Sequence, residues 1–394
     1  MQVWIRRFAL LLLPLGFLAV MVAAPLLSLA FYDGEGAWAE VVADDYMRLR
    51  LGWTVAQAVL TCVLVTALGV PAAWVLARMD FAGRRTVLRL LMLPFVMPTL
   101  VAGMGVLALF GAHGMLAAGW QDTPWLLIYG NVFFNLPVLV RSAYQGFVRV
   151  PQARLLSAQS LGADAWRRFV WVEWPVVRAW VAGGACLVFL YCFSGFGLAL
   201  LLGGERFATV EVEIYRLVAY ELDMARASVL VWLVLAVTAA AGGLYAYWSR
   251  RVAVDKSVSP LPPRAPIWAW EKWLTATVLA MLAVCCLLPL VAVWLKAVSA
   301  GSSWAVLLEA QTWAAVWNTI RFSAAAVAAA TVLGVLYAAA ARQMAWLRAL
   351  MFLPFMVSPV CIAFGVLLLY PQWTASLWLL TATYALLAYP FVAK

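Results

Sequence analysis

The chain alternates long apolar runs with short polar segments, and this pattern predicts ten membrane spans. A helix needs roughly 20 apolar residues, at about 1.5 Å each, to cross about 30 Å of hydrocarbon. A bilayer cannot satisfy bare backbone groups, so each span is predicted to be a helix rather than a barrel strand. The spans are residues 8–31, 52–77, 90–112, 124–140, 179–202, 227–248, 273–295, 322–341, 349–370 and 376–393.

The composition agrees with an all-α integral membrane protein. Of the 394 residues, 67% are hydrophobic and 11% are charged, whereas soluble domains are about 45–50% apolar and about 25% charged. Soluble enzymes, disordered chains and secreted disulfide scaffolds are therefore excluded. The six cysteines lie in apolar runs without a CxxC pair, and the only histidine, His113, lies in a short loop. Neither a metal site nor a cofactor is predicted.

The basic residues predict the orientation. With the N-terminus in the cytoplasm, the inside segments carry 20 of the 27 Lys and Arg residues but 5 of the 17 acids, as the positive-inside rule requires. The first run is too long for a cleaved signal segment, so we expect an uncleaved anchor. The net charge of +10 follows from this topology, so we expect membrane lipid around the spans and no nucleic-acid partner.

An internal repeat divides the chain into two halves. Ordered Trp, Gly, Arg and Pro landmarks recur at matching intervals, which is unexpected for unrelated apolar helices. The pairs are Trp53 with Trp317, Gly69 with Gly334, Arg78 with Arg342, Pro94 with Pro354, Pro98 with Pro359, Gly105 with Gly365, and the stretch 136–141 with 389–394.

The repeat suggests a domain order. We predict an N-terminal anchor helix and outer loop (1–51), a first lobe (52–248), a Pro-rich cytoplasmic linker (249–272) that acts as a semi-rigid spacer, and a partial second lobe (273–394). The second half stops where the first half's long cytoplasmic loop would begin. We therefore expect an incomplete second lobe, either because the sequence is incomplete or because the chain is a truncated product.

That loop, residues 141–178, carries the most informative motif. Ala and Leu favour a short helix before Gly162, which suits a turn. Asp164 suits the cap of the next helical turn, and Pro175 suits the first turn of the following span. These features predict a helix–turn–helix knob facing the cytoplasm; the alternative is a solvated loop that only connects two spans. Arginines surround it at 149, 154, 167 and 168.

The spacing within the loop resembles the coupling loop of ABC importer permeases. That motif is Glu-Ala-Ala, three residues, Gly, nine residues, an aliphatic residue, any residue, Leu-Pro. Here Leu156 replaces the Glu and Trp174 replaces the last Leu. The resemblance implies a type I ABC importer permease fold and a knob that docks on the ATPase subunit. The coupling residues would be Leu156, Ser157, Ala158, Gly162, Ala163, Asp164, Val172 and Pro175.

Further stretches resemble the fused two-lobe permeases of bacterial thiamine and thiamine diphosphate importers, most densely over residues 129–228. They are 131–137, 172–175, 192–196, 202–204, 209–215 and 220–227. The resemblance implies a multi-pass protein of the bacterial inner membrane. It would pass thiamine or its phosphate esters from a periplasmic thiamine-binding protein to the cytoplasm, driven by a homodimer of ATPase subunits. Ferric-iron importer permeases share this architecture and are the main alternative.

The residues themselves point to an external energy source. No GxxxxGK[ST] motif occurs, and the predicted spans hold no carboxylate away from their edges, which argues against an ion-coupled secondary transporter. A membrane enzyme such as a quinone-linked thiol oxidase would need paired cysteines near the outer face. The only close pair, Cys285 and Cys286, lies in the middle of a span. A non-catalytic transport subunit is therefore expected.

Thiamine is an aromatic cation, and aromatic rings attract cations through their faces. Polar groups within or near spans either line a path or join helices. The candidates for the path are Gln57, Asn131, Asn135, Tyr191 and Ser194. A binding protein would dock on the outer loops, where an outer-surface helix is expected over 208–223. The acids that cluster there are Glu205, Glu211, Glu213, Glu221 and Asp223.

Overall fold

The computed structural model describes residues 12–30, 32, 36–116, 119–121, 123–251, 259–341, 358–374 and 376–393. Within these residues the regular elements are all helices. The main helices are α1 (Leu12–Leu29), α2 (Ala37–Ala43), α3 (Asp45–Arg78), α4 (Arg84–Val96), α5 (Thr99–Phe110), α6 (Pro124–Val148), α7 (Gln152–Ser160), α8 (Ala165–Phe193), α9 (Phe196–Leu202), α10 (Val210–Arg216), α11 (Met224–Arg251), α12 (Ala269–Val298), α13 (Ala310–Ala341), α14 (Pro359–Leu369) and α15 (Leu377–Ala393).

The helices confirm an all-α, multi-pass membrane protein. Seven of the described helices are long and apolar enough to span a bilayer: α1, α3, α6, α8, α11, α12 and α13. The pair α4 and α5 makes an eighth candidate, and α14 and α15 are shorter apolar helices. Together they correspond to the ten predicted spans, although residues 349–357 of the ninth lie outside the described residues.

The predicted bounds of several spans are wrong: α3 begins at Asp45 rather than at residue 52, and α13 begins at Ala310 rather than at residue 322. The span placed at 124–140 continues to Val148, and the span placed at 179–202 begins at Ala165. That second helix ends at Phe193, and α9 starts only after a break. Arginines at 141, 167 and 168 make these turns too polar for a hydropathy pattern. Arginine is nevertheless a good helix former, so the backbone remains helical.

Prolines explain three of the π-helical turns and the bend between α4 and α5 in the described residues. A proline at position i donates no hydrogen bond and crowds the carbonyl of residue i−4. Wide π-helical turns begin six residues before Pro25, Pro175 and Pro289 and end two residues before them, which gives those carbonyls room. Between α4 and α5 the chain bends by 103°, because Met97 is extended before Pro98.

The chain forms two compact units. The first comprises residues 1–45, 214–239 and 300–394, and the second comprises residues 46–213 and 240–299. These units are a different division from the predicted lobes, because α1 belongs to the first unit and α12 to the second. The order of lobes along the chain remains a prediction.

Equivalent residues of the repeat make equivalent contacts, one pair in each unit. In the second unit, a Cβ on Gly69 of α3 would lie 2.9 Å from Leu139 Cδ2 on α6. In the first unit, a Cβ on Gly334 of α13 would lie 2.6 Å from Val392 Cβ on α15. Leu139 and Val392 occupy the same position of the repeated stretch. The packing therefore supports the repeat, and Arg342 and Pro354 lie outside the described residues.

Among its described residues, the predicted linker 249–272 is helical at both ends and non-helical between them. Its first residues end α11 at Arg251, and its last residues begin α12 at Ala269. Between them, residues 259–268 are mostly non-helical, and residues 252–258 lie outside the described residues.

Candidate functional site

The loop between α6 and α8 folds as the predicted helix–turn–helix. α7 ends in a Schellman turn, in which the Gly162 N–H donates to the Gln159 carbonyl (3.0 Å) and the Ala163 N–H donates to the Ala158 carbonyl (3.0 Å). Gly162 has φ +79°, which side chains other than glycine and asparagine resist. Asp164 Oδ1 accepts the Arg167 N–H at 2.7 Å and caps α8. The local structure was therefore readable from residue types.

The turn exposes large apolar side chains. Leu161 is 88% exposed, Trp166 is 71% exposed and Leu156 is 46% exposed. Leu155, the neighbour of Leu156 on α7, is buried and anchors the helix. We call residues 152–168 the knob. Clustered exposed apolar groups at a turn are typical of an interaction surface.

The predicted coupling residues divide into two groups. Ser157, Gly162 and Asp164 are exposed on the knob with Leu156, and Ala158 and Ala163 are half-buried. Val172 and Pro175 lie within α8 rather than in a loop, because the helix begins ten residues before Pro175. Val172 and Pro175 therefore lie on the part of α8 that directly follows the knob, residues 169–175, which we call the stem.

A buried ion pair holds this stem to two other helices. Arg78 ends α3 and donates from Nε (2.8 Å) and Nη2 (2.7 Å) to Glu173 Oε1. Arg78 Nη2 also donates to the carbonyl of Phe147 near the end of α6, at 3.1 Å. Trp74 Nε1 donates to the other oxygen of Glu173 at 2.9 Å. The ends of α3 and α6 are therefore joined to α8 through one ion pair.

No binding or coupling role was predicted for Arg78 or Glu173. Two signals were available: Arg78 recurs in the repeat as Arg342, and Glu173 is the only acid between Asp164 and Glu205. An acid in so apolar a stretch needs a buried partner. The partner lies 95 residues away along the chain, a pairing that a single sequence does not reveal.

The five candidate pathway residues comprise three that are buried and two that are half-buried. Gln57, Asn131 and Asn135 are buried and bonded together: Asn131 Nδ2 donates to Gln57 Oε1 (2.8 Å), and Asn135 Nδ2 donates to the Asn131 carbonyl (2.9 Å). Gln57 Nε2 donates to the Cys192 carbonyl at 2.9 Å. These amides join α3, α6 and α8.

Tyr191 and Ser194 are half-buried at the break that follows α8. The Tyr191 ring lies 5.7 Å from the ring of Phe95, which lies 5.7 Å from the ring of Phe134. All three rings are half-buried, and Phe95 directly precedes the 103° bend. We call Phe95, Phe134 and Tyr191 the aromatic cluster. In transporters, irregular backbone at membrane depth occurs where it lines a cavity or is covered by protein.

The acids proposed for an external docking surface separate into two sets. Glu205 and Glu221 are exposed and Asp223 is half-buried, but Glu211 and Glu213 are buried. Glu213 accepts the Tyr46 hydroxyl at 3.0 Å. The expected helix is present, as α10 and a π-helical continuation over Leu217–Glu221. Its two buried acids are therefore unavailable to a partner.

Comparison with known proteins supports these observations. Residues 66–254 match the family described as "Binding-protein-dependent transport system inner membrane component". The thiamine transport system permease protein ThiP of Salmonella typhimurium is 32% identical over 322 residues, which is 79% of this chain and 58% of the relative. The Escherichia coli protein of that name is 32% identical over 327 residues, with 78% and 60% covered. The chain thus spans about three-fifths of the length of these relatives.

Two solved structures share the fold. A bacterial ABC transporter involved in the import of the acidic polysaccharide alginate matches with a TM-score of 0.54 and 15% identity, over 64% of this chain and 98% of the matched chain. The alginate transporter in complex with an alginate pentasaccharide-bound periplasmic protein matches with a TM-score of 0.54 and 16% identity, over 63% and 95%. The fold is that of a type I importer permease.

Proposed function

We propose that the chain is a binding-protein-dependent transport system inner membrane component, the permease subunit of a bacterial ABC importer for thiamine or its phosphate esters. In this proposal a periplasmic binding protein delivers the substrate to the permease. A homodimer of separate ATPase subunits drives the transfer, and the permease itself catalyses no reaction.

The knob is the observation that carries this proposal. It presents Leu161 and Trp166 to solvent on a turn fixed by Gly162, while its stem is tied to α3 and α6 through Glu173. A partner that binds the knob would therefore move α8 together with the ends of α3 and α6. This is the mechanical property that a subunit driven by an external ATPase needs.

The same knob sets the orientation that we propose. An ATPase subunit reaches the knob only from the cytoplasm, and the basic residues of the segments on that side favour the same orientation. We therefore place the N-terminus in the cytoplasm and the chain in the inner membrane, surrounded by lipid.

The aromatic cluster supports an aromatic cation as the substrate. Phe95, Phe134 and Tyr191 present partly accessible rings beside the bend between α4 and α5. Ring faces attract cations by ~0.5–2 kcal/mol. We propose that the pathway passes this cluster and Ser194, whereas Gln57, Asn131 and Asn135 hold the surrounding helices. Ferric iron or another small solute is the alternative substrate.

Reconstitution tests the proposal. Proteoliposomes that contain the full-length permease and its ATPase subunits are given the binding protein and labelled thiamine outside, and ATP inside. We expect uptake that requires ATP and that unlabelled thiamine, but not ferric iron, suppresses. The matched control replaces ATP with a non-hydrolysable analogue. Uptake that follows an imposed proton or sodium gradient without ATP would instead identify a secondary transporter.

A further inference from the structure

Residues 259–271 lie against the base of the knob, and we call this segment the strap. Its first attachment is to the start of α7. The backbone N–H of Gln152 donates to the Ser259 carbonyl at 3.2 Å, and Pro151 and Pro260 form an antiparallel bridge. The strap therefore holds the chain at the point where the knob begins.

The second attachment is to the end of α3. The Arg264 N–H donates to the Arg78 carbonyl at 3.0 Å, and the Asp80 N–H donates to the Arg264 carbonyl at 2.8 Å. Arg78 is the residue whose side chain binds the knob's stem at Glu173. One residue of the strap thus pairs with the backbone on both sides of Met79.

A buried carboxylate fixes the remainder of the strap. Glu271 is 2% exposed, and its Oε1 and Oε2 accept from Arg264 at 2.5 and 3.1 Å. Glu271 Oε2 also accepts the N–H groups of Ile267 (2.9 Å) and Trp268 (3.2 Å). The Trp270 ring stacks on Trp74 at 6.2 Å. Charge-assisted hydrogen bonds of this kind are about twice as strong as neutral ones.

The strap is attached at separate points and does not pack against the knob along its whole length. Between the strap and the knob lies a cavity of about 370 Å³, with walls that include Leu155, Gln159, Leu261 and Trp268. Side-chain packing is therefore incomplete there, and the backbone pairs and the Glu271 carboxylate carry the connection. The prolines at 260, 262 and 263 fix φ, which lowers the entropy lost on ordering the strap.

We propose that the strap is a positioning element for energy coupling, with Arg264 and Glu271 as its positioning residues. It keeps the start of the knob, the end of α3 and the first turn of α12 in one arrangement, so that force applied to the knob reaches both membrane helices. This inference rests on the proposed function, because it concerns the transfer of force from the ATPase subunit.

The test compares Glu271→Ala with Lys272→Ala, an exposed neighbour. The readout is the number of thiamine molecules taken up per ATP hydrolysed in the reconstituted full-length transporter. We expect Glu271→Ala to lower this ratio about tenfold while ATP hydrolysis continues, since several hydrogen bonds to one charge are lost. Lys272→Ala keeps the ratio of the unsubstituted chain. An unchanged ratio in Glu271→Ala overturns the proposal.

A disulfide distinguishes positioning from a general loss of stability. Residues paired in an antiparallel bridge have Cα atoms about 4.5–5.5 Å apart, within the range for a disulfide. Pro151→Cys and Pro260→Cys are added to Glu271→Ala, and oxidised glutathione takes up the two electrons and two protons released by the thiols. We expect oxidation to restore the uptake ratio and reduction to lower it again. If the disulfide forms and the uptake ratio is not restored, the proposal that the strap is a positioning element is wrong.

Different results would contradict the proposed function and the proposed role of the strap. If the unsubstituted chain shows no ATP-driven uptake, the proposed function is wrong and the strap has no coupling role. If the unsubstituted chain transports and Glu271→Ala transports with the same uptake per ATP, only the strap is wrong.

Discussion

The carbonyl oxygen of Pro289 lies 2.6 Å from where a Cβ atom on Gly105 would be. The repeat-equivalent Gly365 lies equally close against the backbone of Pro25, so both units use a glycine to admit a helix that contains a proline. In each case the incoming helix, α12 or α1, begins the opposite half of the sequence repeat. The first helix of one half of the repeat therefore packs on the glycine-bearing helix of the other half: α12 packs on α5, and α1 packs on α14.

The contact between Gly105 and Pro289 predicts that one methyl group added at position 105 strongly lowers the stability of the protein. A Cβ at position 105 meets backbone rather than a flexible side chain, and such overpacking costs about 1–3 kcal/mol. We expect Gly105→Ala to lower the thermal midpoint of the detergent-solubilised protein. Gly52→Ala is the control, because no atom lies within 4 Å of its Cβ position. Equal midpoints for the two variants would contradict the packing described here.

The Arg78–Glu173 pair predicts strong destabilisation when one partner loses its charge. Both side chains are at least 94% buried, and removing one member of a buried pair costs about 3–5 kcal/mol. We expect Glu173→Gln to lower the yield of folded protein and its thermal midpoint. Glu221→Gln breaks the Arg216–Glu221 pair, which is 45% and 40% exposed, and costs at most about 1 kcal/mol. A similar loss for both variants would argue against a buried network.

Gly162 allows the knob to be tested without changing its exposed side chains. Its φ of +79° and the open space around its Cβ position make the backbone conformation, and not a clash, the restriction. Asparagine accepts such a φ far better than valine does. We expect Gly162→Val to abolish thiamine-stimulated ATP hydrolysis, while Gly162→Asn keeps most of it and both insert into the membrane. Full stimulation in Gly162→Val would remove the knob from the coupling mechanism.

The aromatic cluster predicts a difference between two substitutions at one position. Tyr191→Phe keeps the ring that faces Phe95, whereas Tyr191→Ala removes it. Loss of a cation–π contact of about 1 kcal/mol slows thiamine transfer about fivefold. We therefore expect ATP-driven uptake at saturating binding protein to fall about fivefold in Tyr191→Ala and to change little in Tyr191→Phe. Equal rates for both variants would show that the substrate does not contact this ring.

The buried amides predict a loss of stability without a change in substrate preference. Asn131→Ala removes the donor to Gln57 Oε1 and leaves a buried acceptor unpaired, which costs about 1–3 kcal/mol. We expect a lower thermal midpoint and unchanged competition by thiamine analogues. Asn318→Ala, at an exposed asparagine, is the control. Altered competition with a normal midpoint would place Asn131 on the pathway.

Local chemistry made much of the fold and the knob predictable. Apolar run lengths located the membrane helices, and Gly162 and Asp164 marked the turn of the knob and the start of α8, because caps and left-handed turns depend on few neighbouring residues. The repeat was likewise visible from the types of the landmark residues and the intervals between them within each half. These features needed no knowledge of distant contacts.

Long-range pairings were not predictable from the same patterns. The Arg78–Glu173 pair, the attachment of Arg264 to the end of α3 and the packing of Pro289 on Gly105 join residues 95, 186 and 184 positions apart. Hydropathy also ended α6 too early, because it scores Arg141 as a loop residue although the helix continues to Val148. A pattern of side-chain polarity does not record which residues meet.

The most direct test of the knob as the coupling site places a photo-reactive diazirine amino acid at Leu161, which is 88% exposed on the knob. Full-length permease is assembled with its ATPase subunits in membranes and irradiated, and the adducts are identified by mass spectrometry. If the knob docks on the ATPase subunit, a covalent adduct to that subunit forms from position 161. No ATPase adduct is expected from position 378, where Trp378 is 84% exposed on the membrane helix α15. ATPase adducts that are absent at 161, or as frequent at 378, would contradict the assignment of the knob as the coupling site.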